Sequence, residues 1–275
     1  MAIITLTTDY GNKDYSVSSL KAKLISEIND INIVDITHDI SPFNLAEAGY
    51  VLEGAFSEFP KGTIHILSVD SELTPENKHI AIMYDGSFFI GADNGVFSLI
   101  FRDKKPDQIV EINLHSNYNY DISADELFVK VASHINRSGP LNVVGSEIDT
   151  IKEITNLRPV INKEMNQILG SVIYIDNYGN VVTNITEKLF KEISKTRPFT
   201  INARNVKFSK IHKNYSDAID FNLEKKDREE DGKKIALFNN LGYLQLSVYR
   251  SNPQTVGSAS TLFGLNYRDA VSVYF

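Results

Sequence analysis

The sequence contains no cysteine and no long apolar segment. Without cysteine, its 275 residues can form neither disulfide bridges nor thiolate metal sites. No stretch approaches about eighteen apolar residues, the length that a membrane-spanning helix requires. The first residues also lack the basic and apolar regions of a signal peptide. Because 42% of the residues are hydrophobic, packed cores can form, and we expect a globular protein located in the cytoplasm.

Clusters of basic residues are missing as well. Lysine and arginine number 28 against 35 aspartates and glutamates, and the formal net charge is −7. Nucleic acids and anionic membranes bind basic surfaces. We therefore expect a small-molecule substrate, and neither nucleic acid nor a membrane as partner. The mixed-charge tract LEKKDREEDGKK (223–234) is interpreted as a solvated loop.

Several common catalytic and metal-binding motifs are absent from the sequence. Gly11 stands without the three-glycine fingerprint of dinucleotide-binding folds and without a P-loop lysine. It also occupies the place where a phosphohydrolase of the strand-Asp-x-Asp type carries its second acid, after Asp9. No G-x-S-x-G elbow of a serine hydrolase occurs. No H-x-H or H-E-x-x-H pair, and hence no metal site, is found among the histidines, which are His38, His65, His79, His115, His134 and His212.

The first 150 residues alternate between strand and helix patterns. The runs AIITLT, INIVDI and TIHILSV are rich in β-branched residues and are separated by helical patterns. The first helical pattern places four apolar residues on one stripe: Val17, Leu20, Leu24 and Ile28. This β-α-β order predicts an α/β domain over residues 1–150, with a mostly parallel sheet flanked by helices.

Local sequence signals predict two further helix starts and one hairpin turn. Ser41 and Pro42 are typical of an N-cap and a first helical residue, so a helix is predicted to begin there. The dipeptide Asp85-Gly86 joins HIAIMY to FFIGA and predicts a tight hairpin. Ser123 and Glu126 have the spacing of a capping box, which predicts a helix from Ser123 onward.

The second half of the chain consists of short strand-like runs. They are ILGSVIYI, VVTNI, FTINA, KIALFN, YLQLSVY and AVSVYF. Many short strands separated by turns predict a C-terminal β-barrel or sandwich domain over residues 167–275. The polar stretch 151–166 is interpreted as the linker between the two domains.

Acidic residues follow two of the predicted strands. The segment ITLTTDYGNKDYSV leads from an apolar strand through Asp9 to Asp14 and Ser16 at a predicted helix start, and Asp70 follows TIHILSV. Ligands of open α/β sheets bind beyond the carboxyl ends of the strands, so these groups are expected to share one edge. Carboxylates there repel phosphate and favour a cation or a vicinal diol. The structural alternatives are a helix-dipole partner for Asp14 and a turn cap for Asp9.

Six segments resemble the SAM hydroxide adenosyltransferase family, relatives of fluorinase and chlorinase. In chain order they are TTDYGNKDYSV, VDITHDISPFNLAEAGYVL, FPKGTIHILSVD, GADNGVFS, VIYIDNYGNVVTNI and LGYLQLSVYRSNPQTVGSAS. The resemblance implies an N-terminal α/β domain, a C-terminal β-barrel domain, and a homotrimer with S-adenosylmethionine bound at the subunit interfaces. It implies S-adenosylmethionine as substrate and no separate cofactor.

The resemblance assigns four substrate-binding residues in the first half of the chain. Asp9 is implied to bind the ribose hydroxyls, and Asp14 and Ser16 are implied to face the methionine end. Phe43, in HDISPF, is implied to close over the adenosine. Core packing is the alternative interpretation of Phe43.

Three more binding residues are implied in the segment IDNYGN. The resemblance places Asp176 at the methionine ammonium, Tyr178 against the adenine ring and Asn180 at the adenine edge. Aromatic stacking on a base contributes about 1–3 kcal/mol, and an amide matches the donor and acceptor of adenine. A hairpin turn is the alternative interpretation of this segment.

The implied reaction is displacement at the ribose C5′ by water or hydroxide, which gives adenosine and methionine. Because the sulfonium is a good leaving group, the enzyme chiefly has to position and partly desolvate the nucleophile. In hydrolytic members of the family, an aspartate, an arginine and a histidine hold that nucleophile. Asp70 matches the aspartate, whereas Asn77 and Ser123 occupy the other two catalytic positions.

The missing arginine leaves three possibilities for the charge at this site. Lys78 or His79 supplies a cation, Asp70 acts as general base on neutral water, or the site binds without turnover. We rank S-adenosylmethionine hydrolase first and a non-catalytic S-adenosylmethionine or adenosine-binding protein second. A halogenase comes third, because Asp70 repels halide.

Overall fold

The computed structural model describes residues 2–102, 104–114, 122–155, 157–228 and 230–275. His115 lies outside these ranges. The chain divides into two compact units, Met1–Ile154 and Thr155–Phe275, and this division falls within the predicted linker 151–166. Within the described ranges, no helix is both long enough and apolar enough to cross a membrane.

The N-terminal unit contains a seven-stranded sheet and four α-helices among its described residues. Its strands are β1 (Ala2–Thr8), β2 (Ile31–Thr37), β3 (Ile64–Ser68), β4 (His79–Tyr84), β5 (Ser87–Ala92), β6 (Gln108–Ile112) and β7 (Gly145–Glu147). Its helices are α1 (Ser16–Glu27), α2 (Leu45–Phe56), α3 (Val96–Phe101) and α4 (Ala124–Asn136), with a 3-10 turn at Leu141–Val143. These elements confirm the predicted α/β class.

The strand order brings the predicted acidic loops to one edge of the sheet. The order is β2-β1-β3-β5-β4-β6-β7. Strands β2, β1, β3 and β5 pair in parallel, and β4, β6 and β7 add antiparallel pairs. Thr8 of β1 pairs with Ser68 of β3, so these two strands end side by side. Asp9 and Asp70 therefore lie at the start of the loops that leave neighbouring strand ends, one and two residues after β1 and β3.

Two apolar cores cover the two faces of this sheet. One core packs α1 and α4 on the sheet through residues such as Leu20, Leu24 and Phe128. The other packs α2 and α3 on the sheet through Leu52 and Phe97. Truncating a buried phenylalanine in such a core to alanine costs about 3–5 kcal/mol. The loops of the site thus extend from a sheet that is packed on both faces.

The structure confirms the predicted hairpin and corrects one helix start. Asp85 and Gly86 have φ angles of 48° and 74°, which suit a two-residue hairpin turn. The helix predicted to begin at Ser41-Pro42 instead begins at Leu45, with Asn44 as N-cap. Phe43 has a φ of 61°, so the backbone leaves the helical region between the proline and the true helix start. The Asn44 side chain then caps the helix by accepting a hydrogen bond from the backbone N–H at its third position.

The C-terminal unit is built on a nearly barrel-shaped antiparallel sheet. Its strands are β8 (Val160–Ile161), β9 (Gln167–Ile175), β10 (Val181–Thr186), β11 (Thr200–Ala203), β12 (Val206–Phe208), β13 (Lys234–Phe238), β14 (Tyr243–Val248) and β15 (Ala270–Tyr274). The main strand order is β12-β11-β15-β9-β10-β14-β13, with β8 paired to β9. All six runs that were predicted as strands form strands.

Some elements of the C-terminal unit were not predicted. They are two short helices, α5 (Glu187–Ser194) and α6 (Ala259–Phe263), and the strands β8 and β12. Strands of two and three residues carry no alternating pattern, and the five-residue α6 spans little more than one turn. Helix α5, in contrast, buries Phe190 and Ile193 on one face after the N-cap Thr186, a local signal that the sequence reasoning did not use. Tertiary pairing therefore decides β8 and β12.

Candidate active site

Three loops meet at the carboxyl edge of the N-terminal sheet. The Gly11 N–H donates to the His38 carbonyl oxygen at 2.7 Å, and the Ile40 N–H donates to the Thr8 carbonyl oxygen at 3.4 Å. These bonds tie the loop after β1 to the loop after β2. The loop after β3, which carries Asp70, leaves the adjacent strand end.

Asp9 and Phe43 are in direct contact. The Phe43 N–H donates to Asp9 Oδ2 at 3.0 Å, and the Phe43 side chain is 72% exposed. A phenylalanine with φ near 61° is strained, at a cost of about 1–3 kcal/mol. This exposed ring does not pack in the core, so the core interpretation of Phe43 is wrong. The geometry displays an aromatic surface next to the Asp9 carboxylate.

Asp14 lies at the start of α1. Its Oδ1 accepts a hydrogen bond from the Ser16 N–H at 2.9 Å, and this bond holds the pKa of the Asp14 carboxyl below its usual value. Asp14 is exposed, and Ser16 is half-buried. The predicted contact of both residues with methionine stays a prediction, and the contact that the structure shows is the helix-start bond.

Asp70 has a left-handed backbone and is held by Asn94. Its φ is 47°, and Asn94 Nδ2 donates to the carbonyl oxygens of Val69 and Asp70 at 3.0 and 3.1 Å. The Val96 N–H in turn donates to Asn94 Oδ1 at 3.2 Å. The sequence reasoning did not single out Asn94. Asn94 lies two positions after a predicted strand, within GADNGVFS. This position near a strand end was the signal in the sequence that could have identified it as a site residue.

Asn77 is contacted by a lysine that the sequence did not indicate. Lys152 Nζ donates to Asn77 Oδ1 at 3.1 Å and to the Glu76 carbonyl oxygen at 3.3 Å. The Lys152 N–H donates to Asp93 Oδ1 at 2.8 Å. Burial raises the pKa of Asp93, and this bond and the Lys152 charge oppose that rise. No local pattern links Lys152 to Asn77, because 75 residues separate them.

The two candidate replacement cations, Lys78 and His79, have different surroundings. His79 is buried in β4, its Nε2 lies 2.8 Å from the Ser71 carbonyl oxygen, and its ring contacts the Phe128 ring. This packing makes His79 a core residue that cannot swing toward a substrate. The Lys78 carbonyl oxygen accepts a bond from the Asp93 N–H, and the residue is exposed.

Ser123 begins α4 as predicted from its spacing. Its side chain accepts a hydrogen bond from the Glu126 N–H at 3.3 Å. The capping role is therefore present in the structure. The catalytic position that the resemblance gives Ser123 stays a prediction.

A polar cluster that the sequence reasoning missed joins the loop after β1, the end of β3 with its following loop, and the first turn of α4. Its members, Tyr10, Ser68, Ser71 and Asp125, are called the Tyr10 cluster below. The Tyr10 hydroxyl donates to Asp125 Oδ1 at 2.7 Å and lies 2.7 Å from Ser68 Oγ, which lies 2.8 Å from Ser71 Oγ. Burial and the Asp125 carboxylate both raise the pKa of Tyr10.

The predicted adenine-binding segment of the C-terminal unit is a compact turn. Asp176 Oδ1 accepts hydrogen bonds from the N–H groups of Tyr178 and Asn180 at 2.9 and 2.8 Å. Asp176 Oδ2 accepts from Asn180 Nδ2 at 2.8 Å. The hairpin interpretation is thus observed, with Asn180 buried and Tyr178 65% exposed. An asparagine amide has two N–H donors and one oxygen acceptor, and Asp176 uses one N–H of Asn180. The other N–H and the amide oxygen can bond a ligand.

A second predicted segment supports this turn. The Ser260 N–H donates to the Gly179 carbonyl oxygen at 2.9 Å, and Ser251 Oγ donates to the Tyr178 carbonyl oxygen at 3.1 Å. Gly179 has a φ of 72°, and a Cβ there would lie 2.2 Å from Ser258 Oγ. Only glycine fits this approach. The segment SNPQTVGSAS therefore packs directly against IDNYGN.

Metal-ligating residues do not gather into a site within the described ranges. No group of three or more histidine or acidic side chains there has the arrangement that holds a metal ion. The positively charged group that contacts a predicted catalytic position is the lysine ammonium of Lys152.

Comparisons with known proteins found relatives that match over most or all of the chain. The (R)-S-adenosyl-L-methionine hydrolase of Methanocaldococcus jannaschii is 29% identical over 280 residues, which cover 99% of this chain and 96% of that protein. A protein of the same name from Salinispora tropica is 23% identical over 198 residues, which cover 70% of this chain and 76% of that protein. A solved structure from Thermotoga maritima matches with a TM-score of 0.78 at 25% identity and covers 99% of this chain and 100% of that chain.

Two family models match the chain in order. The model of the SAM hydroxide adenosyltransferase N-terminal domain matches residues 4–145, and that of the C-terminal domain matches residues 170–272. Both compact units are thus accounted for by one family. The chain belongs to the SAM hydroxide adenosyltransferase family.

Proposed function

We propose that this protein hydrolyses S-adenosylmethionine to adenosine and methionine. The observation that carries the proposal is the similarity over 99% of the chain to a protein named (R)-S-adenosyl-L-methionine hydrolase. From that name we also propose that the R epimer at sulfur is the preferred substrate.

The acidic sheet edge supports a cationic nucleoside as the ligand. S-adenosylmethionine carries a sulfonium, an ammonium and a ribose diol. Asp9 provides a carboxylate that accepts hydrogen bonds from a diol. Phe43, held by that carboxylate, presents an exposed ring to an apolar part of the nucleoside. Asp14 and Ser16 are proposed to face the methionine end.

Asp70 is proposed as the general base for the attacking water. A base within hydrogen-bond reach of the nucleophile contributes about 10²- to 10⁴-fold to the rate. If hydroxide attacked instead, two anions about 4 Å apart would repel by about 4 kcal/mol at an effective dielectric of 20. Lys152 supports either route, because its ammonium is held on Asn77, where hydrolytic relatives are expected to carry arginine. Ser123 is proposed to shape the site as the cap of α4.

The turn at Asp176 is proposed to bind the adenine and methionine ends of the substrate. Tyr178 offers an exposed ring for stacking, and Asn180 offers the rest of its amide to the adenine edge. Asp176 is proposed at the ammonium. Its carboxylate also holds the turn, so its removal is expected to affect both binding and loop order.

Two further features are proposed on the resemblance, and a third, the location of the protein, on the absence of cysteine. S-adenosylmethionine serves as substrate, and no cofactor is required. The protein forms a homotrimer with substrate sites at the subunit interfaces, which light scattering on the purified protein tests directly. The protein works in the cytoplasm.

Product analysis with each sulfonium epimer tests the proposed reaction. Purified protein is incubated with the separated R and S epimers of S-adenosylmethionine, and nucleosides are resolved by chromatography. Adenosine above the spontaneous rate, faster from the R epimer, is the expected result. A 5′-halo nucleoside formed only with added halide would show halogenation instead. Tight binding without any product would show a binding protein.

A further inference from the structure

The Tyr10 cluster lies where two loops of the candidate site, those after β1 and β3, meet the first turn of α4. Tyr10 follows Asp9 in the chain, Ser68 and Ser71 flank Asp70, and the fourth member comes from the first turn of α4. The Tyr10 hydroxyl, in the loop after β1, contacts both Ser68 at the end of β3 and Asp125 in α4. The four side chains are buried or half-buried.

We propose that Tyr10 and Asp125 are positioning residues that hold the Asp9 loop and the Asp70 loop in their reactive arrangement. This inference rests on the proposed hydrolysis and adds residues to it. Neither residue is required to touch the substrate. Their effect reaches the reaction through the loops that they join.

The chemistry of the cluster fixes the direction of its hydrogen bonds. An ionised carboxylate only accepts, so the Tyr10 hydroxyl donates its one proton to Asp125. The short contact between Tyr10 and Ser68 then requires the Ser68 hydroxyl to donate to the tyrosine oxygen. The Ser68 oxygen in turn accepts from the Ser71 hydroxyl. The Asp125 carboxylate thus sets the orientation of the Tyr10, Ser68 and Ser71 hydroxyls. Ser71 is the residue that follows Asp70.

Two features of the structure favour this donor-to-acceptor order of the hydrogen bonds. Asp125 lies in the first turn of α4, where the helix dipole favours a negative charge. The Tyr10 ring packs against the core that contains Phe128, which fixes where its hydroxyl points. Because the raised pKa of Tyr10 keeps the phenol neutral, it remains a donor.

Variants that remove single hydrogen-bonding groups test the proposal. Tyr10→Phe removes only the hydroxyl and leaves the ring packing. Asp125→Ala removes the acceptor, whereas Asp125→Asn keeps an oxygen that can accept the tyrosine proton. Tyr84→Phe is the matched control, because Tyr84 is buried in the same unit and packs in the core on the other face.

The expected result is a loss of kcat with a smaller rise of KM. Small misplacements of a reacting group cost up to about 100-fold, so Tyr10→Phe and Asp125→Ala are each expected to lower kcat by about 10- to 100-fold. KM is expected to rise by at most about fivefold, because the loosened Asp9 loop keeps its carboxylate. Asp125→Asn is expected to recover most of the loss. The double variant Tyr10→Phe with Asp125→Ala is expected to be no slower than either single variant, because both changes break one connected network.

Amide hydrogen exchange gives a readout that does not depend on turnover. Tyr10→Phe is expected to speed exchange in both 9–14 and 68–74, whereas Tyr84→Phe leaves both segments unchanged. Unchanged exchange in these segments, or unchanged kcat in an active enzyme, would overturn the positioning role. If the unaltered protein forms no adenosine, the proposed hydrolysis fails, and exchange alone then decides the inference.

Discussion

The two units assemble their candidate binding groups in different ways. In the N-terminal unit, Tyr10 reaches Asp125 across 115 positions of the chain. In the C-terminal unit, Asp176 bonds Asn180 only four positions away. The first arrangement exists only when the whole sheet has folded, whereas the second is a local turn. This difference predicts that the groups of the N-terminal unit depend on long-range order, whereas the ligand contacts of the C-terminal unit depend on a short loop.

The largest effect is expected for Asp70→Asn. Removing the proposed base is expected to lower kcat by at least about 100-fold while the affinity for S-adenosylmethionine changes little. Adenosine formation and calorimetric titration measure the two quantities. Asp85→Asn is a matched control, because Asp85 has a φ of 48° against 47° for Asp70. A fully active Asp70→Asn variant would remove this residue from the mechanism.

The next effect concerns the stability of the N-terminal unit in acid. Burial lowers the pKa of His65 from 6.5 to about 4. As the pH falls, His65 therefore takes up a proton in the unfolded chain before it does so in the folded protein. The contribution of His65 to the free energy of unfolding is fully present above pH 6.5 and is lost as the pH falls toward 4. The full loss is about 3 kcal/mol.

Urea unfolding at pH 7 and pH 4.5 measures this loss. The His65→Phe variant lacks the titrating group and is expected to show a smaller difference between the two pH values. The ring of His65 stacks on Phe89, so an aromatic replacement keeps part of the packing. An equal pH dependence in the variant and the unaltered protein would contradict the prediction.

A pair of carboxylate substitutions compares the two units directly. Asp9→Ala is expected to weaken binding by about 1.5–3 kcal/mol, the range for hydrogen bonds to a charged group. Asp176→Ala is expected to weaken binding similarly and also to lower the unfolding temperature more, because it removes three hydrogen bonds within its turn, whereas Asp9 makes one to Phe43. Calorimetric titration and thermal unfolding separate the two effects. A larger stability loss in Asp9→Ala would reverse the comparison.

The smallest effect is expected at Lys152. Its ammonium is exposed, so salt and water screen its charge. Lys152→Met is expected to lower kcat by about tenfold, and Lys152→Arg is expected to restore most of it. Lys191→Met, which removes a surface pair with Glu187, serves as the control. Full activity of Lys152→Met at low salt would show that this charge does not assist the reaction.

Patterns within the sequence predicted much of the fold. The α/β class, the Asp85-Gly86 hairpin and the strands of the second half all follow from periods of a few residues. The helix start at Ser41-Pro42 was wrong because Phe43 adopts a strained conformation that no propensity favours. That conformation is held by Asp9, a contact across the sheet edge.

The candidate site was predicted only in part. Asp9 and Asp70 follow segments whose strand pattern can be recognised in the sequence, and Asp176 lies in a recognisable turn. Lys152 and Asp125 were missed because each acts through a partner far away in the chain.

The sequence alone determined most of the longer strands and helices, because those choices depend on neighbours a few residues away. It also determined the local turn at Asp176, since a carboxylate followed by Asn-Tyr-Gly-Asn can accept hydrogen bonds from the backbone N–H groups of its own turn. Only the tertiary structure decided which loops meet, because the parallel register of β1 and β3 sets the strand ends side by side. The Tyr10 cluster and the Lys152 contact arise from that meeting, and no local interaction specifies them.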